Sequence, residues 1–276
     1  MQDIENPEVQ AELWSVAEEL AEAARAAILP YFRSAGLRAE NKVEGGFDPV
    51  TLADKGAEQA MRAVLARRRP DDGILGEEFG TLDGTSGLTW VLDPIDGTRG
   101  FISGTPTWGV LIALNDASGP RLGVIDQPYI GERFCGGFGR SDMTGPHGGA
   151  RLKASSTAQL KDATLFSTFP EVGSPVERAA FETVAAQAKL TRFGCDCYAY
   201  ALLAAGQIDL VIEAGLNAYD IAAPIGVIEA AGGIVTDWSG GKVHDGGRAL
   251  AAATPQLHAQ ALELLQRGLI EAQASA

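Results

Sequence analysis

The apolar positions near the start of the chain have the spacing of an amphipathic helix over residues 7–33. They recur every three or four positions, at Val9, Leu13, Val16, Leu20 and Ala24. Glutamates occupy the positions between them, as expected for a helix with one face in water. A second helix is predicted from Thr51, which has the spacing of a capping box with Asp54, to the basic run before Pro70.

Short apolar runs separated by Gly, Pro and Asn predict a series of strands from residue 73 onward. These runs lie at residues 74–75, 90–92, 108–114, 123–125 and 133–136. The polar segment SDMTGPHGGA at residues 141–150 predicts a loop and the boundary between two subdomains. We therefore expect an N-terminal α+β subdomain at residues 1–145 and a C-terminal α/β subdomain at residues 146–276.

Beyond that boundary, predicted strands alternate with predicted helices, which is typical of α/β architecture. The strands are expected at residues 164–168, 208–213 and 234–236, and the helices at residues 175–188, 198–205, 220–231 and 255–272. Pro224 would lie near the first turn of the helix that begins at Asp220, where proline is tolerated. Together these patterns predict a mixed α/β (α+β) fold.

The segment Asp93-Pro94-Ile95-Asp96-Gly97-Thr98 directly follows a short apolar run. Pro94 holds the backbone extended at Asp93, so a strand is expected to stop there with both aspartates at its carboxyl end. Carboxylate oxygens beside the free amides of Gly97 and Thr98 are typical of a site for Mg²⁺ and phosphate. For either half of the segment alone, the alternative is a solvated turn.

Two further acidic segments lie at the ends of predicted elements. Gly76-Glu77-Glu78 follows the strand at residues 74–75, and Asp220 lies in the first turn of a predicted helix. Taken alone, the two glutamates are equally compatible with an exposed loop pair, and Asp220 with a helix N-cap.

Together these three segments resemble the signature motifs of the inositol monophosphatase superfamily, in the same order and with similar separations. The resemblance covers nearly the whole chain. It implies a layered αβαβα fold and a Mg²⁺-dependent phosphomonoesterase that needs no covalent nucleophile. It also implies two or three Mg²⁺ ions in each active site, with Mn²⁺ as a substitute and Li⁺ as an inhibitor.

The resemblance also implies roles for individual residues. The metal ligands that it implies are Glu77, Asp93, the Ile95 carbonyl, Asp96 and Asp220. Glu77 and Thr98 would position the attacking water, and Asp54 would hold Thr98. Asp54 is also the acid of the predicted capping box, and the two roles are compatible. Lys42 is expected near a third, loosely held metal ion.

Three other segments resemble the histidinol-phosphatase branch of the superfamily. They are Gly123-Val-Ile-Asp126-Gln127-Pro128, Thr98-Arg99-Gly100-Phe101-Ile102-Ser103-Gly104 and Cys195-Asp196-Cys197-Tyr198-Ala199-Tyr200. This resemblance implies hydrolysis of L-histidinol phosphate to L-histidinol and phosphate in histidine biosynthesis. The alternatives are an inositol-1-phosphate or broad-specificity sugar-phosphate phosphatase, a 3′-phosphoadenosine phosphate phosphatase, and a non-catalytic binding protein.

The expected substrate site combines phosphate-binding groups with acids that face a cation. Gly97 and Thr98 are expected to bind the phosphate, and Arg99 either to contact the substrate or to form a surface salt bridge. Histidinol phosphate carries an ammonium group and an imidazole, so Asp196 and Glu213 are expected to pair with its cationic end. The alternative for Asp196 is a helix cap.

The composition narrows the set of partners. The 276 residues carry 36 acidic and 22 basic side chains, and the net charge of −14 disfavours nucleic acid and anionic membranes as partners. Three cysteines provide no disulfide framework. The sequence pattern shows neither a signal peptide nor an apolar membrane span. We expect a cytoplasmic enzyme that acts on a small phosphate ester, as the homodimer that the resemblance implies.

Overall fold

The computed structural model describes residues 4–35, 39–41 and 49–274, so Lys42 lies outside the described residues. The α-helices are α1 (Pro7–Ile28), α2 (Leu52–Arg68), α3 (Thr98–Ser103), α4 (Pro175–Ala185), α5 (Cys197–Ala204), α6 (Ala218–Ala230) and α7 (Pro255–Ala274). The strands are β1 (Ala39–Asn41), β2 (Pro49–Thr51), β3 (Gly73–Gly76), β4 (Gly80–Leu82), β5 (Thr89–Asp96), β6 (Gly109–Asp116), β7 (Gly119–Gln127), β8 (Glu132–Gly137), β9 (Arg140–Gly145), β10 (Gly148–Arg151), β11 (Thr164–Ser167), β12 (Leu190–Phe193), β13 (Leu210–Asn217), β14 (Ile234–Thr236) and β15 (Gly246–Ala252).

The larger sheet has eight strands in the order β10-β9-β8-β7-β6-β5-β3-β4. Its neighbouring strands are antiparallel, except for β3 and β5, which run parallel. The carboxyl ends of two parallel neighbours meet at the same end of a sheet. The acidic segments that follow β3 and end β5 are therefore brought side by side.

The smaller sheet has five strands in the order β12-β11-β13-β15-β14. Strands β12, β11 and β13 run parallel, and β15 lies antiparallel between β13 and β14. Helix α6 begins directly where β13 ends, so Asp220 lies at the carboxyl end of this strand.

Five layers of structure pack around three apolar cores, the second of which contains the middle layer. Helices α1 and α2 pack on one face of the larger sheet, where Trp90 of β5 is fully buried. The next residue, Val91, faces the second core, in which α5 and α6 lie between the two sheets. In the smaller sheet, Val211 belongs to that second core and Leu210 to a third, which α4 and α7 cover. The order α, β, α, β, α confirms the layered fold implied by the sequence.

The loop predicted at residues 141–150 is wrong. Strands β9 and β10 form an antiparallel hairpin there, with Gly145 opposite Gly148. The segment is rich in Gly and polar residues, a composition that indicates a turn even where the backbone pairs in a sheet. The division of the chain at residues 145 and 146 stays a prediction. Strand β15 is a second element that composition does not reveal, because its sequence, GGRALAA, has no β-branched or aromatic residue.

Several helix boundaries also differ from the prediction; α4, for example, ends at Ala185 rather than at residue 188. Helix α1 ends at Ile28 rather than at residue 33. Leu29 still has helical angles, with φ −56° and ψ −34°, but Pro30 after it has no N–H to continue the helical hydrogen bonds and its ring clashes with the carbonyl four residues earlier. Helix α6 begins at Ala218 rather than at Asp220, so Pro224 lies inside the helix and costs it a backbone hydrogen bond. None of the helices in the described ranges has an apolar stretch long enough to cross a membrane.

Candidate active site

A bulge near the end of β5 turns two aspartates to the same face of the larger sheet. Strand β5 continues through Asp96, so the prediction that it stops at Asp93 is wrong. Asp93 lies opposite Leu111 of β6 and Asp96 lies opposite Gly109, with a register shift between the two pairs. A step of three residues on β5 therefore matches a step of two residues on β6, so β5 contains one extra residue. This bulge places both carboxylates on one side of the sheet.

Asp220 joins these two carboxylates from the other sheet. One carboxylate oxygen from each of Asp93, Asp96 and Asp220 lies within 4.8 Å of the others. Asp220 stands in the first turn of α6, where its Oδ2 accepts the backbone N–H of Asn217 at 2.6 Å. Asp96 Oδ2 accepts the N–H of Cys197, at the start of α5, at 2.6 Å. Backbone amides from two helices thus orient two of the three acids.

The pKa values of the acids reflect this crowding. Burial raises the pKa of Asp93 well above its ordinary value, and the negative charges of Glu77, Asp96 and Asp220 raise it further. Burial also raises the pKa of Asp96, with added repulsion from Asp196 and Asp220. A divalent cation would offset this repulsion, and hard oxygen donors are the ligands that Mg²⁺ prefers. The donor set therefore fits the Mg²⁺ that the sequence resemblance implies.

Glu77 approaches the aspartates from the neighbouring strand. Its backbone N–H donates to the carbonyl of Leu92 at 3.2 Å, which ties the end of β3 to β5. Its charge acts on Asp93, although Glu77 stands outside the group of three acids within 4.8 Å of one another. Both Glu77 and Glu78 are half-buried, so the alternative of an exposed loop pair is wrong.

Thr98 connects the end of β5 to Asp54 of helix α2. The Thr98 hydroxyl lies 3.1 Å from the carbonyl oxygen of Ile95 and 3.5 Å from Asp54 Oδ1. Asp54 Oδ2 accepts the N–H and the hydroxyl of Thr51, at 2.9 and 2.5 Å. Asp54 thus closes the predicted capping box with one oxygen and faces Thr98 with the other. A carbonyl oxygen has two lone pairs, so the Ile95 carbonyl can accept from the Thr98 hydroxyl and still be a ligand.

Asp196 lies against the loop that precedes α3. Gly97 begins α3 with a φ of 82°, and a Cβ there would lie 2.7 Å from Asp196 Cγ. Only glycine therefore allows this approach. Asp196 occupies the N-cap position of α5, as the helix-cap alternative has it, with a φ of 46°. Its side chain makes no capping hydrogen bond to a described amide of that helix. Burial raises the pKa of Asp196, whereas the Thr107 hydroxyl and the Arg99 charge lower it.

A cavity of about 390 Å³ extends from the acids of β5 toward the smaller sheet. Glu213 of β13 is buried in its wall and accepts the hydroxyls of Thr168 at 2.5 Å and Tyr200 at 3.2 Å. Burial raises the pKa of Glu213 to about 7, and these hydrogen bonds oppose the rise. Across the cavity mouth, the Arg99 guanidinium lies 5.0 Å from the centre of the Phe169 ring. Most of the predicted site residues that the structure describes line this cavity: Glu77, Asp96, Gly97, Thr98, Arg99, Asp196, Glu213 and Asp220. The other three are outside its lining but adjoin residues that line it: Asp93 adjoins Asp96 and Asp220, and Asp54 and Ile95 face the Thr98 hydroxyl.

Some residues of the site carry no motif. Glu58 of α2 is fully buried and hydrogen-bonds to the backbone beside Glu77. Its position four residues after Asp54, on the same helix face, is a sequence signal that could have identified it. Thr168 and Phe169 follow β11 and have no such signal, because only the folding of the smaller sheet brings them near Glu213.

The chain is similar to known proteins over most of its length. The model of the inositol monophosphatase family matches residues 9–270. The chain is 40% identical to the bifunctional phosphatase IMPL2 of Arabidopsis thaliana, over 91% of this chain and 74% of that protein. It is 36% identical to the histidinol-phosphatase of Mycobacterium tuberculosis, over 86% of this chain and 91% of that protein. The solved structure of an inositol monophosphatase from Zymomonas mobilis matches with a TM-score of 0.80 and 38% identity, over 91% of this chain and 96% of that one.

Proposed function

The chain belongs to the inositol monophosphatase family of phosphatases, and we propose that it is a Mg²⁺-dependent enzyme that hydrolyses L-histidinol phosphate to L-histidinol and phosphate. The name of the Mycobacterium tuberculosis relative supports this substrate. The observation that carries the proposal is the position of Asp196 and Glu213 in the cavity that adjoins the acids of β5.

These two acids suit a phosphate ester whose alcohol carries a positive charge. Glu213 is 7% exposed and its hydrogen bonds come from neutral groups, the Thr168 N–H and hydroxyl and the Tyr200 hydroxyl. An ammonium or imidazolium group would add a charge-assisted hydrogen bond there. Inositol phosphate has no cationic group, so its hydroxyls could donate hydrogen bonds to these acids but would form no ion pair with either of them. The acids therefore favour histidinol phosphate over a neutral polyol phosphate.

Residues of this chain would hold both the metal and the reacting groups. Asp93, Asp96 and Asp220, with Glu77 and the Ile95 carbonyl, would hold Mg²⁺. When bound, Mg²⁺ neutralises charge on the phosphoryl oxygens and increases the acidity of water.

The remaining groups bind and orient the reactants. We propose that Glu77 and the Thr98 hydroxyl position the attacking water, with Asp54 accepting a hydrogen bond from Thr98. The amides of Gly97 and Thr98, at the start of α3, would donate hydrogen bonds to phosphate oxygens. Asp196 and Glu213 would hold the alcohol, so that the ester bond faces the water.

A direct comparison of substrates tests the proposal. Phosphate release in Mg²⁺ would be measured from L-histidinol phosphate, inositol 1-phosphate and 3′-phosphoadenosine phosphate. We expect a kcat/KM for L-histidinol phosphate at least about 10-fold above that of either of the others. A preference for inositol 1-phosphate would instead support the activity in the name of the Zymomonas mobilis structure. Release from none of a broad panel of monoesters would support a non-catalytic binding protein.

A further inference from the structure

Glu58 is a buried carboxylate directed at the turn that carries Glu77. It lies in α2, one helical turn after Asp54, with 0% of its surface exposed. Its Oε2 accepts the N–H of Glu78 at 2.6 Å, and its Oε1 lies 3.3 Å from the N–H of Phe79. A carboxylate buried this completely is costly unless its oxygens are satisfied. Here the backbone N–H groups just after Glu77 donate the hydrogen bonds that these oxygens need.

The residue before Glu77 is shaped to admit this carboxylate. A Cβ on Gly76 would lie 2.0 Å from Glu58 Oε1, well inside the distance of any real contact. Gly76 ends strand β3 without a positive φ, so the close approach of Glu58, and not backbone strain, requires glycine here. Glu58 therefore contacts the backbone on both sides of Glu77.

Arg62 completes the arrangement. Its Nε donates to Glu58 Oε1 at 2.7 Å, so the buried charge has a cationic partner one turn along the helix. Its Nη2 donates to the carbonyl of Gly80, at the start of β4. The side chains of Glu58 and Arg62 thus hold the backbone of the turn at residues 76–80 at three points.

We propose that Glu58 is a positioning residue that, with Arg62, fixes the turn at residues 76–80 and so directs the Glu77 carboxylate toward Asp93. This inference rests on the proposed function, in which Glu77 is a ligand of Mg²⁺. Partners that orient metal ligands typically change metal affinity by about 10- to 100-fold when they are removed. Glu58 accordingly sets the affinity for Mg²⁺ without contacting the ion.

The test is the affinity of purified variants for Mg²⁺ alone, measured by isothermal titration calorimetry. Glu58→Gln keeps the size of the side chain, but its amide can accept with one oxygen only and would face an N–H with its other end. We expect the Kd for Mg²⁺ to rise about 10-fold, and kcat to return toward that of the unmodified protein at saturating Mg²⁺.

Asp209→Asn is the matched control. Asp209 is also a buried carboxylate that accepts a backbone N–H, from Thr164 at 2.7 Å, but it lies just before β13, at the end of that strand away from Asp220. This variant should lose stability while keeping its Mg²⁺ affinity. An equal loss of affinity in both variants, or an unchanged Kd in folded Glu58→Gln, would overturn the proposal.

Arg62→Gln provides a milder variant should Glu58→Gln not fold, because Arg62 is partly exposed. We expect its Kd for Mg²⁺ to rise about 3-fold, less than for Glu58→Gln, because Arg62 makes one of the three contacts to the turn and Glu58 makes two. An unchanged Kd would overturn the proposal. The unmodified protein separates this inference from the proposed function. If it binds no Mg²⁺, the metal-dependent function fails; if it binds and the variants match it, only the role of Glu58 fails.

Discussion

The two walls of the cavity both carry acids, but they differ in how those acids are arranged. On one wall, where the end of β5 meets the start of α6, oxygens of Asp93, Asp96 and Asp220 lie within 4.8 Å of one another. On the opposite wall, Glu213 stands apart with hydroxyl partners of its own. Crowded carboxylates repel one another and suit a divalent cation, whereas a separate carboxylate suits a single positive charge. The comparison assigns one wall to metal and the other to the substrate's alcohol.

The largest effect is expected from the crowded wall. Asp93→Asn removes the most buried of the three acids and should lower Mg²⁺-dependent phosphate release by more than about 100-fold, the upper end of losses for groups that only orient a ligand. The loss should be the same for every ester tested, because all of them share the phosphate. Initial rates with L-histidinol phosphate and p-nitrophenyl phosphate measure it. Activity within a few-fold of the unmodified protein would remove Asp93 from the metal site.

Asp196, whose charge acts on both Asp96 and Glu213, should give a selective effect instead. Asp196→Ala is expected to lower kcat/KM for L-histidinol phosphate about 10-fold, which is the loss of one charge-assisted hydrogen bond, and to leave p-nitrophenyl phosphate nearly unchanged. Asp196→Asn controls for size, because it removes the charge and keeps the shape. Equal losses on the two esters would show that Asp196 does not select the alcohol.

The crowded wall was more predictable from sequence than the opposite one, for physical reasons. Its acids lie in short continuous motifs at the ends of strands and helices. There the spacing of residues along the chain indicates how their side chains are arranged. The bulge between Asp93 and Asp96 was not predictable, because it arises from pairing with β6. Nor were Thr168 and Phe169, which reach the cavity only through the order of strands in the smaller sheet.

The mixed α/β class was predictable from the helix and strand patterns, and the layered order from the resemblance. The predictions of single elements failed where composition and strand pairing disagree. The hairpin of β9 and β10 forms from Gly-rich sequence because β8 offers its free edge. Glu58 carries no motif, and its place on the Asp54 face of α2 is the one sequence signal for the 0% exposure that the structure shows.

Repulsion on the crowded wall should also appear as a pH effect on stability without metal. The pKa of Asp93 lies well above 3.8 in the folded chain, from burial and then from Glu77. When folding raises the pKa of an acid, its contribution to the free energy of unfolding is largest at pH values below its unfolded pKa. This contribution is lost as the pH rises through the folded pKa. In EDTA, Asp93→Asn should therefore gain stability relative to the unmodified protein between about pH 5 and pH 8. Urea unfolding at both pH values measures the difference, and an equal difference at each would contradict this account.

The smallest expected effect concerns the mouth of the cavity. Phe169→Leu removes the ring that Arg99 lies over at 5.0 Å. An exposed cation–π contact is worth about 0.5–1 kcal/mol, so KM should change by less than about 5-fold with kcat unchanged. Steady-state kinetics with L-histidinol phosphate measures it, and a loss in kcat as large as that of Asp93→Asn would place Phe169 in the reaction itself.

The central claim is that residues from β5 and α6 share a divalent cation, and a crystal grown with Mn²⁺ tests it most directly, because Mn²⁺ gives anomalous scattering. We predict an anomalous peak within about 2.0–2.3 Å of carboxylate oxygens of Asp93, Asp96 and Asp220, close to the distances of a hard-cation site. Well-ordered carboxylates at these three positions with no ion among them would contradict the account.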